Sequence, residues 1–133
     1  MKTTRTSICI GAVALATVLM SAKTDDGVMT KENGFYVVNT TTLASDVVGY
    51  ADATPLKIYI KSDKIDHIEA LHNTETPKYF ARIKKQLLDK WNGLTVKKAL
   101  DTDVDAVTGA TMSSDAVKEN VKRGLNYYKS HKK

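Results

Sequence analysis

Apolar and polar positions alternate most regularly just after Pro55, where Leu56, Ile58 and Ile60 are separated by Lys57, Tyr59 and Lys61. A period of two predicts a strand with one buried face and one wet face. Ser62-Asp63-Lys64 reads as a turn, and residues 65–71 return as a second strand. Its apolar positions slip from Ile65 to Ile68 and Ala70, a spacing that a β-bulge explains. The polar run His72-Asn73-Thr74-Glu75-Thr76 predicts a loop, and Pro77 suits the first position of a helix carrying Phe80, Ile83, Leu87 and Leu88 to about Trp91. Asn92-Gly93 stops that helix, and residues 95–100 form a shorter one capped by Thr95. The last helix has a cap at Ser113 or Ser114, Asp115 in its first turn, and Val117, Val121, Leu125 and Tyr128 along one face. Lys129, His131 and Lys132 at its end complement the helix dipole. Upstream, residues 23–33 read as a polar linker, residues 35–38 as a short strand and the Thr/Ser-rich stretch to Asp46 as a loop. The pattern therefore predicts an α+β fold, a small antiparallel sheet packed with helices.

The N-terminal segment stands outside this pattern. Lys2 and Arg5 precede an apolar or small run over residues 8–20, which ends in Ser21-Ala22 before Lys23-Thr24-Asp25-Asp26. This is the layout of a secretory signal. The run is shorter than the roughly twenty residues that span a bilayer, so a cleaved signal over residues 1–22 is the expectation and a retained, membrane-associating anchor the alternative. Residues 23–48 are then linker and N-terminal strand, and residues 49–131 the functional domain. The chain has 133 residues, 42% of them hydrophobic and 26% charged, with one cysteine, which suits one globular domain and excludes an intrachain disulfide. Cys9 lies in the segment expected to be removed, along with Lys2 and Arg5. Without those two, 20 basic residues become 18 against 15 acidic ones, a net charge of +3 at which no nucleic-acid partner is expected.

What precedes the last helix is chemically the most informative part of the chain. Asp105-Ala106-Val107-Thr108-Gly109-Ala110-Thr111-Met112 delivers small residues directly onto a helix N-terminus. Gly109 allows a sharp turn, and the free N–H groups and dipole of a helix start suit a phosphate group. An ordinary loop-to-helix junction uses the same residues, so spacing alone leaves both readings open.

The run from Asp105 to Thr111 resembles the Asp-x-x-Ser/Thr-Gly-Ala-Thr flavinylation motif of FMN-binding domain proteins. That family includes the flavin-carrying subunits of sodium-pumping NADH:quinone reductase and of Rnf complexes. Gly49-Tyr50, Pro55-Leu56, the strand pair, Glu75-Thr76-Pro77 and the terminal helix follow in the family's order, so the resemblance covers about residues 49–128. It implies that an FAD:protein FMN transferase joins FMN through its phosphate to the hydroxyl of Thr111, a phosphoester linkage. Thr108, Ser113 and Ser114 are then expected to solvate the phosphate, with Gly109 and Ala110 keeping the loop low. Met112, Tyr79, Phe80, Glu75 and Thr76 are the candidates to wall and orient the isoalloxazine, with at least one of Tyr79 and Phe80 expected to pack the helix on the sheet instead. Asp105 orients the loop or serves the transferase, or is an exposed carboxylate. Before Pro55 the chain reads Ala51-Asp52-Ala53-Thr54 where many relatives are richer in glycine.

Other constellations carry less. His67, His72 and His131 lack the spacing of a metal site, and there is no nucleophile–base signature, nucleotide phosphate loop or dinucleotide fingerprint. The sequence reading is thus an exported flavin carrier of the periplasm or outer cell surface, more carrier than enzyme, with no catalytic or metal residues and an unidentified redox partner that could be membrane-bound. The alternative is a non-redox module that holds a phosphate-bearing ligand reversibly.

Overall fold

A computed structural model describes residues 27–132 of the chain; the expected signal segment lies outside the described residues. Four strands form an antiparallel meander in the order β1 Met29–Glu32, β2 Phe35–Asn39, β3 Leu56–Lys61 and β4 Lys64–Ala70. Helix α1 spans Pro77–Gln86, a 3-10 turn Leu88–Trp91 follows, and α2 (Val96–Asp101) and α3 (Thr111–His131) complete an α+β fold.

The strand pair after Pro55 has the predicted alternation, with Leu56, Ile58 and Ile60 fully buried. Each such side chain contributes about 2 kcal/mol by leaving water. Tyr59 pairs with His67 but Ile60 pairs with Ile65, so Asp66 is one extra residue on β4. This is the expected bulge, and it brings both Ile65 and Ile68 to the core face.

The linker expectation is corrected, because residues 29–32 form an edge strand on β2 with Met29 opposite Val38. Only Met29 of its four residues is buried, so hydrophobic periodicity could not announce it. The turn could have done so. Asn33 and Gly34 take φ of 51° and 86°, the left-handed pair that a tight two-residue hairpin demands.

The helix predicted to reach Trp91 divides at Leu87, where a 3-10 turn tightens the chain and buries Leu87, Leu88 and Trp91 together. Thr95 caps α2 as expected, its side chain accepting from Lys98 N at 3.1 Å.

One sheet face packs on α3 through Val117, Val121, Leu125 and Tyr128, with Phe80 and Ile83 of α1 beside them. Gly124 sets the helix-to-sheet distance: a Cβ there would lie 2.6 Å from Ile58 Cδ1. A buried polar cluster ties the long loop after β2 to the same helix. Asn120 accepts from Thr40 Oγ1 and donates to Ala116 O, while Leu56 N donates to Thr40 Oγ1. Each buried polar group thus has a partner, and the loop carrying Gly49 and Tyr50 is anchored at both ends. No helix among the described residues is long and apolar enough to cross a membrane.

Candidate functional site

The segment leading into α3 is held from three sides. Val107 is buried, its N–H donates to Ser114 Oγ at 3.0 Å, and Ala110 N donates back to Val107 O at 2.9 Å to close a turn. Gly109 sits in that turn at φ 84°, a conformation strained for any residue with a side chain. From α1, Arg82 Nη2 donates to Thr108 O at 2.8 Å. The outcome is an exposed but constrained tip of Thr108 and Gly109, with exposed Thr111 immediately after it as the first residue of α3.

The helix therefore starts earlier than its expected cap. Ala110 is the N-cap and supplies no side-chain bond, whereas Ser113 and Ser114 lie buried within the first turn. Their hydroxyls serve the fold: Ser113 Oγ donates to Glu75 Oε1 at 2.8 Å, and Ser114 Oγ accepts from Val107 N. A glycine turn followed by alanine lets the chain enter helical geometry before either serine. Asp115 correspondingly falls beyond the first turn. The N–H groups of Thr111, Met112 and Ser113 find no acceptor among the described residues, the condition in which a helix start favours an anion.

Beside this start lies a groove of about 520 Å³, within the range of small-molecule sites. Glu75, Thr76, Tyr79, Phe80, Gly109, Ala110, Thr111, Met112 and Ser113 all line it, so nine of the twelve expected site residues converge from α1 and the loop before it, the turn and α3. Thr108, Asp105 and Ser114 do not. Asp105 is exposed and its carboxylate has no hydrogen bond or ion pair among the described residues. The two aromatics of α1 differ: Phe80 is 5% exposed and packs in the core while also lining the groove, whereas Tyr79 is 47% exposed there. Met112 at 60% and Tyr50 at 73% are the other exposed large hydrophobics lining it. Apolar groups left to water at one concave place mark a surface that takes a ligand.

Tyr50 and Arg82 were not among the expected site residues. Tyr50 comes from the loop after β2, and the signal for it was an aromatic beside Gly49. Glu75 holds that loop in place. Its buried carboxylate accepts from Tyr50 N at 2.9 Å and Ala51 N at 2.7 Å as well as from Ser113 Oγ. A Cβ on Gly49 would overlap Glu75 Oε1 at 2.0 Å, so the clamp requires glycine there. Glu75 thus acts first as the brace joining the loop to the start of α3, with part of its surface on the groove. Arg82 lies one turn along α1 from Tyr79, the same helix face seen at i and i+3.

A second cavity, of about 290 Å³, lies on the other side of α3 near Trp91, where Lys118 pairs with Asp103 at 3.2 Å. No cluster of three or more His, Cys, Asp or Glu among the described residues could hold a metal ion. His67 instead stacks on Tyr59 at 4.2 Å, and His131 on Tyr127 at 3.8 Å.

No curated protein and no solved structure matches the chain. The sequence pattern of the family described as FMN-binding domain matches residues 49–126. That stretch starts at the glycine packed on Glu75, takes in the groove and the glycine turn, and ends inside α3; β1 and β2 lie before it but in the same sheet. With more than half of its length matched, the chain belongs to the FMN-binding domain family, and its cofactor is FMN.

Proposed function

We propose that this protein is an exported electron carrier with FMN joined through its phosphate to Thr111, loaded by an FAD:protein FMN transferase. The observation that carries the reading is the position of Thr111: an exposed hydroxyl, in a run that resembles the flavinylation motif, at the meeting point of an open helix start and an aromatic groove. The residues present fit the cofactor. Three backbone donors without acceptors among the described residues suit a phosphate, and Tyr50, Tyr79 and Met112 suit a flat, largely apolar ring.

In loading, Thr111 Oγ1 bonds to the FMN phosphorus of FAD while the pyrophosphate bond breaks, AMP leaves and the hydroxyl proton is released. The chain's part is to present that oxygen on a constrained turn and to keep bulk away from it, which Gly109 and Ala110 do. Afterwards the N–H groups of α3 and its dipole offset the phosphodiester charge. Bound FMN supplies reversible electron transfer, and the groove sets its orientation and solvent exposure. The apolar run over residues 8–20 supports export to the periplasm or outer cell surface, where the transferase and a redox partner, soluble or membrane-bound, would be met.

The test is the intact mass of the protein after co-expression with the transferase. The expected result is the mature chain carrying one FMN phosphoester, yellow and still yellow after denaturation. A protein that binds FMN but releases all of it on denaturation would instead be a reversible phosphate-ligand module, and the covalent reading would fall.

A further inference from the structure

The two arginines in the described part of the chain are treated very differently. Arg123 is saturated: Asp46 lies at 2.6 Å, Glu119 at 2.9 Å and the carbonyl oxygen of Leu43 at 3.0 Å. Arg82 has one neutral acceptor, Thr108 O at 2.8 Å, and no carboxylate within ion-pair distance among the described residues. Guanidinium offers five N–H donors in a planar fork that matches a phosphate, so most of this fork has no acceptor among the described residues. Holding a long side chain in one rotamer costs conformational entropy, which a single bond to a carbonyl repays poorly. The place where this happens is the glycine turn itself: a Cβ added to Gly109 would lie 3.5 Å from Arg82 Nη1.

We propose that Arg82 is the phosphate-recognition residue of the site, braced by Thr108 O and donating its remaining N–H groups to the FMN phosphate. The inference rests on the reading that the phosphate is held at this turn. It adds a side-chain cation from α1 to the backbone donors of α3, so that two elements grip the same anion. It also explains the lack of an acidic neighbour, since a carboxylate at Arg82 would compete with the phosphate for the same fork. Gly109 belongs to the same arrangement: a side chain there would strain the turn whose Thr108 O braces the guanidinium.

The experiment uses the full-length apoprotein made without the transferase, titrated with FMN and with riboflavin, the same ring without the phosphate. Wild type should prefer FMN. Arg82→Gln keeps an N–H for Thr108 O but removes the charge, and should weaken FMN about tenfold, as expected for losing a charge-assisted bond, while leaving riboflavin unchanged. Arg82→Lys should recover part of the FMN preference as a point charge without the fork. Equal losses for both flavins would mean that Arg82 only braces the turn, and would overturn the proposal. So would an unchanged FMN affinity in Arg82→Gln, or a wild type with no preference for FMN. The covalent reading fails separately, through the mass of co-expressed protein, so a wild type that prefers FMN but never acquires the adduct leaves Arg82 in its role.

Discussion

The two ends of α3 are built for different purposes. At the C-terminal end polar groups close on one another: Lys132 N returns to Tyr128 O at 2.9 Å, and Tyr128 Oη and Lys132 Nζ both donate to Asp63 Oδ1, at 2.5 Å and 3.0 Å. The Tyr128 ring meets Tyr36 edge-on at 5.3 Å. At the N-terminal end, among the described residues, there is no side-chain cap, three N–H groups lack acceptors, Met112 is exposed, and Arg82 beside the turn has only a carbonyl for a partner. The contrast teaches that the same secondary structure serves stability where its groups are internally satisfied and offers free donors where they are left open, the end at which FMN attachment is proposed.

Substitutions at each end can break or sharpen that division. The largest expected effect is at Thr111. Thr111→Ala, co-expressed with the transferase, should lose the entire adduct by intact mass while stability changes by no more than about 0.5 kcal/mol, as at other exposed positions. Retention of the adduct would remove the N-terminal end from the chemistry. Leu125, fully buried in the half of α3 devoted to packing, should show the opposite behaviour. Leu125→Ala should cost about 3 kcal/mol in urea unfolding, and the folded fraction should still be flavinylated.

Ser114 tests where the boundary lies, because it belongs to the ligand end by position and to the fold by its bond to Val107 N. Ser114→Ala strands a buried N–H and should cost about 2 kcal/mol with the adduct retained. Loss of the adduct at full stability would instead give Ser114 a direct part in the site.

The smallest effect is at Tyr128. Burial, then the bond to Asp63, pushes its hydroxyl above the usual tyrosine range. That hydroxyl, and after it Lys132, holds the Asp63 carboxyl below its ordinary value of 3.8. A carboxyl lowered on folding contributes stability that is present above the ordinary value and lost as pH falls through the lowered one. Losing the hydrogen bond to Asp63 in Tyr128→Phe should cost about 1 kcal/mol at neutral pH, and the variant should flatten the acid limb of the stability curve below pH 3.8. A variant whose acid limb is as steep as the wild type's would deny the bond any linkage to folding.

Much of the architecture could be read from spacing. The alternation over Leu56 to Lys61, the slip from Ile65 to Ile68, the Thr95 cap and the Val117, Val121, Leu125 stripe each report local geometry through residues a few positions apart. Where the reading failed, the local pattern was silent or misleading. β1 is too polar to show a period, and Asn33-Gly34 was its overlooked marker. Serine is so common a cap that Ser113 and Ser114 invited that role, while their actual partners, Glu75 and the N–H of Val107, belong to other segments.

By itself the sequence determined the strand and helix periods, the glycine turn, and the run ending in Thr111 where the attachment chemistry is proposed to reside, because each is carried by neighbours along the chain. The tertiary structure alone decided which groups surround that threonine. Glu75 reaches Ala51 across 24 positions and Ser113 across 38, and Arg82 reaches Thr108 across 26. Such meetings depend on how α1 and α3 settle on the sheet. Gly49 and Gly124 govern how closely segments approach, and the periods along the chain contain no information about which distant segments those will be.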